Sequence, residues 1–577
     1  MDKRFFLALV LTAIVIVGTP LLFPGARRPL SSALRDSTSL SNQHPDSARS
    51  QAPRPTPPTL AGDSSNRQLT TIGAAAVVET TTVQNPYSTY AFSSRGGAPI
   101  SVTLDSYPSR RPQSKALRHV ELTRPGGALM NYRIVVASDT VALNAIPLHR
   151  VQNEGNGGRA SGTPTLSYAG SVGGRPLQLD YQPVPDSFLV RVRVSVNGAP
   201  AGSSVLVDLP RTLHSNEPDT LDDMNHLAVS YRGANGDVSS VGFSKLDSTQ
   251  TRTETGPLRW VAERNKYFLV AYRAHEKSGF SQLQLRGVSR TGKMAGEVAA
   301  TAAMPLAADG TAAFDVYAGP QDFRRLQRLG GDLDQVNPYG GWLNGVVQPV
   351  ASIVMRALLW MKDTTKLNYG WVLVLFGVLI RLALWPLNQG AMRTSMKMQR
   401  LQPELQAIQK KYADDRQRLQ EATMKLYKDH GMSPLSPLMG CLPMLLPMPI
   451  LFALYWVFQN TIEFRGVSFL WLPDISLHDP YYITPVLMGL SMFVMSWIGM
   501  KGSPPNPQAK MMMYMMPVML TVFFLNLASG LNLYYAVQNI AAIPQQWLLA
   551  RERTQQAATG AVIPSIQGPG PIVKRRS

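Results

Sequence analysis

The chain of 577 residues has a single cysteine, Cys441. One thiol excludes an intrachain disulfide framework and a Cys-x-x-Cys redox pair. Cys441 lies in an apolar segment, where a small buried hydrophobe is its ordinary role. Acidic residues are also scarce: 37 Asp and Glu stand against 56 Lys and Arg, a formal net charge of +19. Such an excess suits nucleic acid, anionic lipid or a ribosome surface. No helix-turn-helix pattern, zinc-finger spacing or RNA-binding signature accompanies it. Histidine is rare, with 8 in all. His119, His149, His214, His226 and His275 show no metal-ligand spacing, and solvated or turn positions are expected for them.

A mean hydropathy of −0.06 averages over a polar first half and a membrane-like last third. The run Tyr369 to Leu387 is apolar except for Arg381. Each of its Leu, Ile, Val and Phe residues favours insertion by roughly 0.3–0.6 kcal/mol, against a cost of roughly 2.5–3.5 for one Arg. The segment is therefore expected to span a bilayer. An intramembrane Arg is expensive and normally faces a protein interior or a water-filled cavity. Snorkelling along its aliphatic stem is the alternative.

Four further apolar segments follow: Met439 to Phe458, Ile483 to Met500, Met511 to Leu527 and Leu531 to Leu549. Phe5 to Phe23, behind Asp2, Lys3 and Arg4, is long for a signal-peptide h-region and has no convincing small-residue cleavage site. It reads as an uncleaved anchor. The loop 459–482 holds one basic residue, Arg465, and belongs outside. Lys501 and Lys510, and the tail with Arg551, Arg553, Lys574, Arg575 and Arg576, belong inside. The expectation is six spans with both termini cytoplasmic. No His, Asp or Glu falls within these spans, which argues against an intramembrane protease or acyltransferase. A channel or transporter with Arg381 as an anion site is a rival reading, as is an anchored carbohydrate-binding module.

Between anchor and spans, residues 25–67 are rich in Ser and Pro and read as a disordered linker. Residues 68–325 carry a β pattern. Val190, Val192, Val194 and Val196 alternate with polar residues, and Asn197-Gly198 then signals a hairpin turn, with Val205 to Val207 as the returning strand. Lys266 to Tyr272 and Phe314 to Tyr317 also read as strands. Many short strands suggest one large β-sandwich. In Trp342 to Met361, the residues Trp342, Val346, Val350, Ile353, Ala357 and Trp360 recur at helical spacing among polar residues, as in a helix lying in the interface. The charged stretch Gln389 to His430 reads as a cytoplasmic helical hairpin that turns at Asp414-Asp415.

The final span is polar on part of its surface. Asn532, Tyr535, Gln538 and Asn539 recur at spacings of three and four. They either line one wet cavity with Arg381 or hydrogen-bond between helices. Met is frequent, as in Met511-Met512-Met513 and Met515-Met516. Its flexibility suits a surface that accepts many apolar partners, or irregular packing.

Taken in order, several motifs resemble the YidC-type membrane-protein insertases of Gram-negative bacteria. They are Arg381 in its span, Lys397-Met398-Gln399-Arg400-Leu401-Gln402-Pro403, Ser436-Pro437-Leu438-Met439-Gly440-Cys441, Asp479-Pro480-Tyr481-Tyr482-Ile483, Ser529-Gly530-Leu531 and Leu533-Tyr534-Tyr535. Ser94-Arg95-Gly96-Gly97 and Tyr317-Ala318-Gly319-Pro320 resemble that family's large periplasmic domain. The chain departs from the family pattern at Ser436, where Asn is usual, and at Ala528, where Pro is usual.

The resemblance implies a periplasmic all-β supersandwich, an α-helical five-span insertase core and an N-terminal transmembrane anchor. The expected boundaries are 1–24 for the anchor, 68–325 for the β-domain, 326–362 for an interfacial helix and 363–550 for the core. The hairpin falls at 388–432 and a basic tail at 551–577. The resemblance further implies a substrate groove of Arg381, Asn532, Tyr534, Tyr535, Gln538 and Asn539, with Lys397, Arg400 and Pro403 on the hairpin. It implies no catalytic residue, metal or cofactor. The implied partners are nascent membrane proteins, the Sec translocon with its accessory subunits, a ribosome bound through the basic tail, and anionic lipids. The implied location is the bacterial inner membrane.

Overall fold

The computed structural model describes residues 78–111, 119–151, 165–275, 279–291, 294–340, 344–389, 401–430, 448–501 and 507–558, apart from isolated positions within them. The anchor, the linker, the end of the tail, Lys397, Arg400, Pro403 and the Ser436 motif lie outside the described residues.

From Thr80 to Pro320 the chain forms three antiparallel sheets of four, nine and six strands. Strand Leu189–Val196 shows why. Val190, Val192 and Val194 are buried while Arg191 and Arg193 are exposed, which is the period-two alternation of a half-buried strand. It lies in the nine-stranded sheet between Arg175–Pro183 and Thr311–Pro320. Both of its edges are therefore occupied. Asn197-Gly198 does turn, with Gly198 at φ 72°. The strand after it, Ser204–Asp208, pairs instead with Asn131–Val136 and Met294–Pro305 in the six-stranded sheet. The expected hairpin is thus a crossing between sheets. Asn197 N–H donates to Pro176 O, which holds the chain on its old sheet before it leaves. Across the interior, Tyr181 Oη donates to Tyr132 Oη at 3.1 Å, linking the two sheets.

A second correction concerns Lys266. The strand begins at Phe268 and runs to Ala274. Asn265 Oδ1 accepts from Tyr267 N and Phe268 N, so Asn265, Lys266 and Tyr267 form the tight turn that enters it.

Nine described helices are used here. Within and just after the sheets are α1 (Thr220–Asn225) and α2 (Phe323–Leu329). Next come α3 (Asn344–Thr365), α4 (Tyr369–Ala383) and α5 (Arg416–Asp429). The last four are α6 (Met448–Asn460), α7 (Ile483–Met500), α8 (Pro507–Phe524) and α9 (Ser529–Ala558). α5 is capped by Asp415, whose side chain accepts from Arg418 N, where a turn was expected.

Helix α3 is apolar on two faces. Val347, Ala351, Val354 and Leu358 are buried and pack on the α6 side with Ala453, Leu454 and Val457. Of the stripe that periodicity picks out, Val346, Ile353 and Trp360 are left uncovered, while Val350 and Ala357 are partly covered. α3 and α4 meet at a bend of 118°. The break is fixed by Asn368, whose side chain accepts from Gly370 N to start α4.

The run expected as a span to Leu387 has its regular helix only over Tyr369–Ala383, capped at Leu384. After this break at Leu384, Trp385 and Pro386 are helical again, and Pro386 offers no N–H to the ladder there. At 15 residues α4 is about 22 Å long. Among the described helices, α7 alone passes by itself as long and apolar enough to cross a membrane, the bent pair α3–α4 passes as a unit, and α6 and α8 are shorter apolar helices. α9 runs over 30 residues, past the expected Leu549, with Pro544 inside it.

Candidate functional site around Arg381

Arg381 sits on the last turn of α4, half-buried. The face of α4 that meets α9 carries Gly377, where a β-carbon would lie 3.1 Å from Val537 and 3.5 Å from Tyr534. The missing side chain therefore brings the two backbones close. Phe376 packs on Tyr534 with ring centroids 6.0 Å apart. Gln538 Nε2 donates to Tyr534 Oη at 2.7 Å. One turn and a half further, Arg381 Nη2 donates to Gln545 Oε1 at 2.8 Å, and Gln545 Nε2 donates to Trp385 O at 3.1 Å.

Gln545 is buried, at 2% exposure, and neutral. Arg381 Nε has no hydrogen-bond partner among the described residues, and no described carboxylate lies within ion-pair distance of the guanidinium. A full positive charge thus stands between apolar helices with one amide holding it. Such a charge is costly unless water or an incoming anion reaches it.

The expected groove residues divide between different faces of α9. Tyr534, Gln538 and Gln545, spaced at i, i+4 and i+11, face α4 with Arg381. Asn539 Nδ2 donates to Met488 O and Ser491 Oγ, so it is turned to α7. Asn532 is fully buried and donates to Phe524 O, closing the α8–α9 connection. Tyr535 packs on Phe524 and Tyr534, at 5.6 and 5.5 Å. Asn532, Tyr535 and Asn539 therefore bond or pack against neighbouring helices, the alternative that polar residues in membranes commonly adopt. Gln545 was missed because the polar spacing was followed only to Asn539. It stands seven residues after Gln538, the helical repeat that returns to one face.

The loop 461–482 crosses over the opposite end of this bundle. Phe464 lies between Tyr369 and Phe458, at 5.2 and 4.8 Å. Asp474 O accepts from Ser529 Oγ, and Leu477 O and Ile475 O accept from the first N–H groups of α9. Arg465, expected only as a topology marker, is buried against the sheets. Its Nε donates to Glu217 Oε1 at 2.8 Å, with 3% and 7% of the two side chains exposed. Its Nη1 donates to Pro108 O. Burial pushes the Glu217 carboxyl up, and Arg465 beside it pulls it back. Arg110 pairs with Asp474 at 3.3 Å, and Tyr267 Oη donates to Ser476 Oγ. Among the described residues, no group of three or more His, Cys, Asp and Glu could hold a metal ion.

Comparison with known proteins places the chain in one family. The family described as 60Kd inner membrane protein matches residues 360–557, and the one described as YidC periplasmic domain matches residues 80–353. The membrane protein insertase YidC of Chlorobaculum tepidum is 31% identical over 412 residues, covering 67% of this chain and 68% of that one. The insertase of Stutzerimonas stutzeri is 33% identical over about half of each chain, 54%. That of Maridesulfovibrio salexigens is 28% identical over 95% of this chain and 99% of the relative. The crystal structure of an active YidC insertase with its first transmembrane domain resolved aligns with 81% of this chain and 92% of that one, at 20% identity and a TM-score of 0.33, too low to carry weight. On the strength of the sequence relatives, the chain belongs to the YidC family of membrane protein insertases, with a periplasmic β-sandwich domain and a helical C-terminal core.

Proposed function

We propose that this protein inserts and folds integral proteins of the bacterial inner membrane, alone or with the Sec translocon, through a wet groove that contains Arg381. The observation that carries the reading is a guanidinium on an apolar helix whose only hydrogen-bond partner among the described residues is a neutral amide, Gln545. A polar, often acidic, outer segment of a nascent protein enters such a groove more cheaply than hydrocarbon, because charge and water offset its desolvation. Its apolar segment then moves into lipid along the neighbouring helices. No bond is made or broken.

In this reading residues 1–24 anchor the chain, 25–67 tether it and 68–325 stand in the periplasm. Residues 363–550 form five spans, and the hairpin at 388–432 receives the substrate in the cytoplasm. Uncovered Val346, Ile353 and Trp360 of α3 give that helix an apolar face for the membrane surface. The basic tail at 551–577 adds electrostatic affinity for ribosomes or anionic lipid.

Photo-crosslinkers on α9 test this directly. A stalled nascent membrane protein is expected to crosslink from position 538, on the Arg381 face, and weakly from position 539, which faces α7. Equal crosslinking from both positions, or none from 538, contradicts the groove.

A further inference from the structure

We propose that the turn 469–472 is a membrane wedge. Its tip, Leu470 and Trp471, dips with Tyr481 and Tyr482 into the lipid leaflet at the end of the core where α7 begins. The proposal rests on the reading of α7 as a membrane span. The turn is built rigidly. Phe469 N donates to Leu472 O at 2.9 Å, and Leu472 N donates to Phe469 O at 2.8 Å. Leu470 and Trp471 lie between them, so these two apolar side chains form the tip of a two-residue hairpin. Phe469 is buried and seats the turn on α4. A β-carbon on Gly370 would lie 2.0 Å from its ring, so the ring fits only because that position is glycine.

Trp371 meets the Phe469 ring edge-on, with centroids 5.3 Å apart, and Asn368 Nδ2 donates to Ser468 O at 3.1 Å. On the other side Trp471 Nε1 donates to Asp479 Oδ2 at 3.2 Å. The same carboxylate accepts from Tyr481 N and Thr484 N at the start of α7. A turn held this firmly still leaves its tip bare. Leu470 is 67% exposed and stands at φ 53°, a left-handed conformation that is costly for leucine and cheap for glycine or asparagine. Tyr482 is left-handed too, at φ 57°, and with Tyr481 and Ile483 it is uncovered. Trp371 and Leu367 extend the exposed apolar surface. No charged residue falls in 466–473, and Asp474 and Asp479 are buried. An uncharged apolar patch on a strained, firmly held turn marks a surface that meets something apolar.

The occupant follows from α7. Its uncovered residues Ile483, Val486, Leu490 and Trp497 recur at spacings of three, four and seven, one stripe along the helix. The stripe starts directly after Tyr481 and Tyr482. It ends at Trp497, with Lys501 Nζ 3.9 Å from the centre of that ring. At 18 residues α7 is about 27 Å long, close to the hydrocarbon thickness of about 30 Å. Tyr and Trp at one end, and Trp with Lys at the other, are the amphipathic side chains that sit at the two lipid–water boundaries. The tip of the turn stands at the first of these boundaries, tied to it through Asp479, so lipid is what covers it.

Fluorescence quenching by lipid tests the wedge. Full-length protein is reconstituted in vesicles of phosphatidylethanolamine and phosphatidylglycerol. One environment-sensitive fluorescent amino acid is placed at 470, 481, 490 or 309. Acyl chains brominated near the headgroup or near the bilayer centre act as quenchers. The wedge predicts loss of emission at 470 and 481 with the shallow bromines, and at 490 with the deep ones. Position 309, in an exposed turn of the sandwich, is expected to keep its emission with both. Leu470→Asn removes the apolar tip and keeps the turn, because Asn tolerates the left-handed conformation. It is expected to reduce shallow quenching at 481 without lowering the thermal midpoint. Quenching at 490 with none at 470 and 481 overturns the wedge and leaves the span standing. No quenching at 490 overturns the span, and the wedge with it. Shallow quenching at 481 that Leu470→Asn leaves unchanged overturns the wedge as well, and decides alone should a probe at 470 prevent folding.

Discussion

Arg381 and Gln545 form the residue pair on which insertion rests in this account. Gln545 does two things: its oxygen takes one guanidinium N–H and its amide group holds Trp385 O, so the arginine is aimed without being neutralised. Glu at this position would keep the shape and add a counter-charge. Gln545→Glu is therefore expected to lower insertion of substrates with acidic outer segments by roughly tenfold, the scale of about 1.4 kcal/mol, while leaving protein levels near normal. Insertion rates for acidic and neutral substrates decide it, and equal rates for both in the variant would show that the amide matters only for packing.

Arg381 stood out in the sequence because one charge in an apolar run is costly unless it faces a cavity or snorkels. Gln545 was harder to see, since its role depends on which face of α9 meets α4, and that is fixed by the small residue Gly377 on the other helix. Of the expected set, Asn539 meets α7, and Asn532 and Tyr535 meet Phe524 at the end of α8. Polarity along a helix marks a stripe without saying which neighbour the stripe touches.

At the scale of elements, the loop 461–482 is the piece that the sequence hid. Its partners stand far away in the chain: Glu217 is 248 positions from Arg465, and Arg110 is 364 from Asp474. Local periodicity carries no trace of such pairs. The same limit explains the misread turn at Asn197-Gly198, where the turn itself was plain and the sheet that received the next strand was not. The two-faced helix α3 was half legible: Val346, Ile353 and Trp360 of the expected stripe stood out, while the packed face with Val347, Ala351 and Val354 did not.

The Arg465–Glu217 pair makes a prediction at this scale. Removing one member of a buried ion pair strands the other, at a cost of ~3–5 kcal/mol. Arg465→Ala is expected to lower the thermal midpoint of the purified protein clearly, and Arg465→Met with Glu217→Gln to recover most of the loss. A single variant as stable as wild type would show that water reaches the pair.

For the whole molecule, the loop 461–482 pairs with the β-sandwich and also holds the first turn of α9. The helix that faces Arg381 is thus anchored at its N-terminal end by a segment that pairs with the sheets. Membership of the insertase family follows from the sequence relatives. The proposed mechanism rests on the sign of one charge.

That charge gives the most direct measurement: insertion per folded molecule, for substrates with acidic and with neutral outer segments, by wild type, Arg381→Lys and Arg381→Ala side by side. A positive charge in a wet groove predicts that Lys keeps substantial activity, since it supplies the charge without the planar fork. It predicts that Ala loses most on the acidic substrates, by roughly tenfold or more relative to the neutral ones, for loss of an attraction of about 1.4 kcal/mol. Equal loss on both substrate classes, or a loss accounted for entirely by the amount of folded protein, would contradict it.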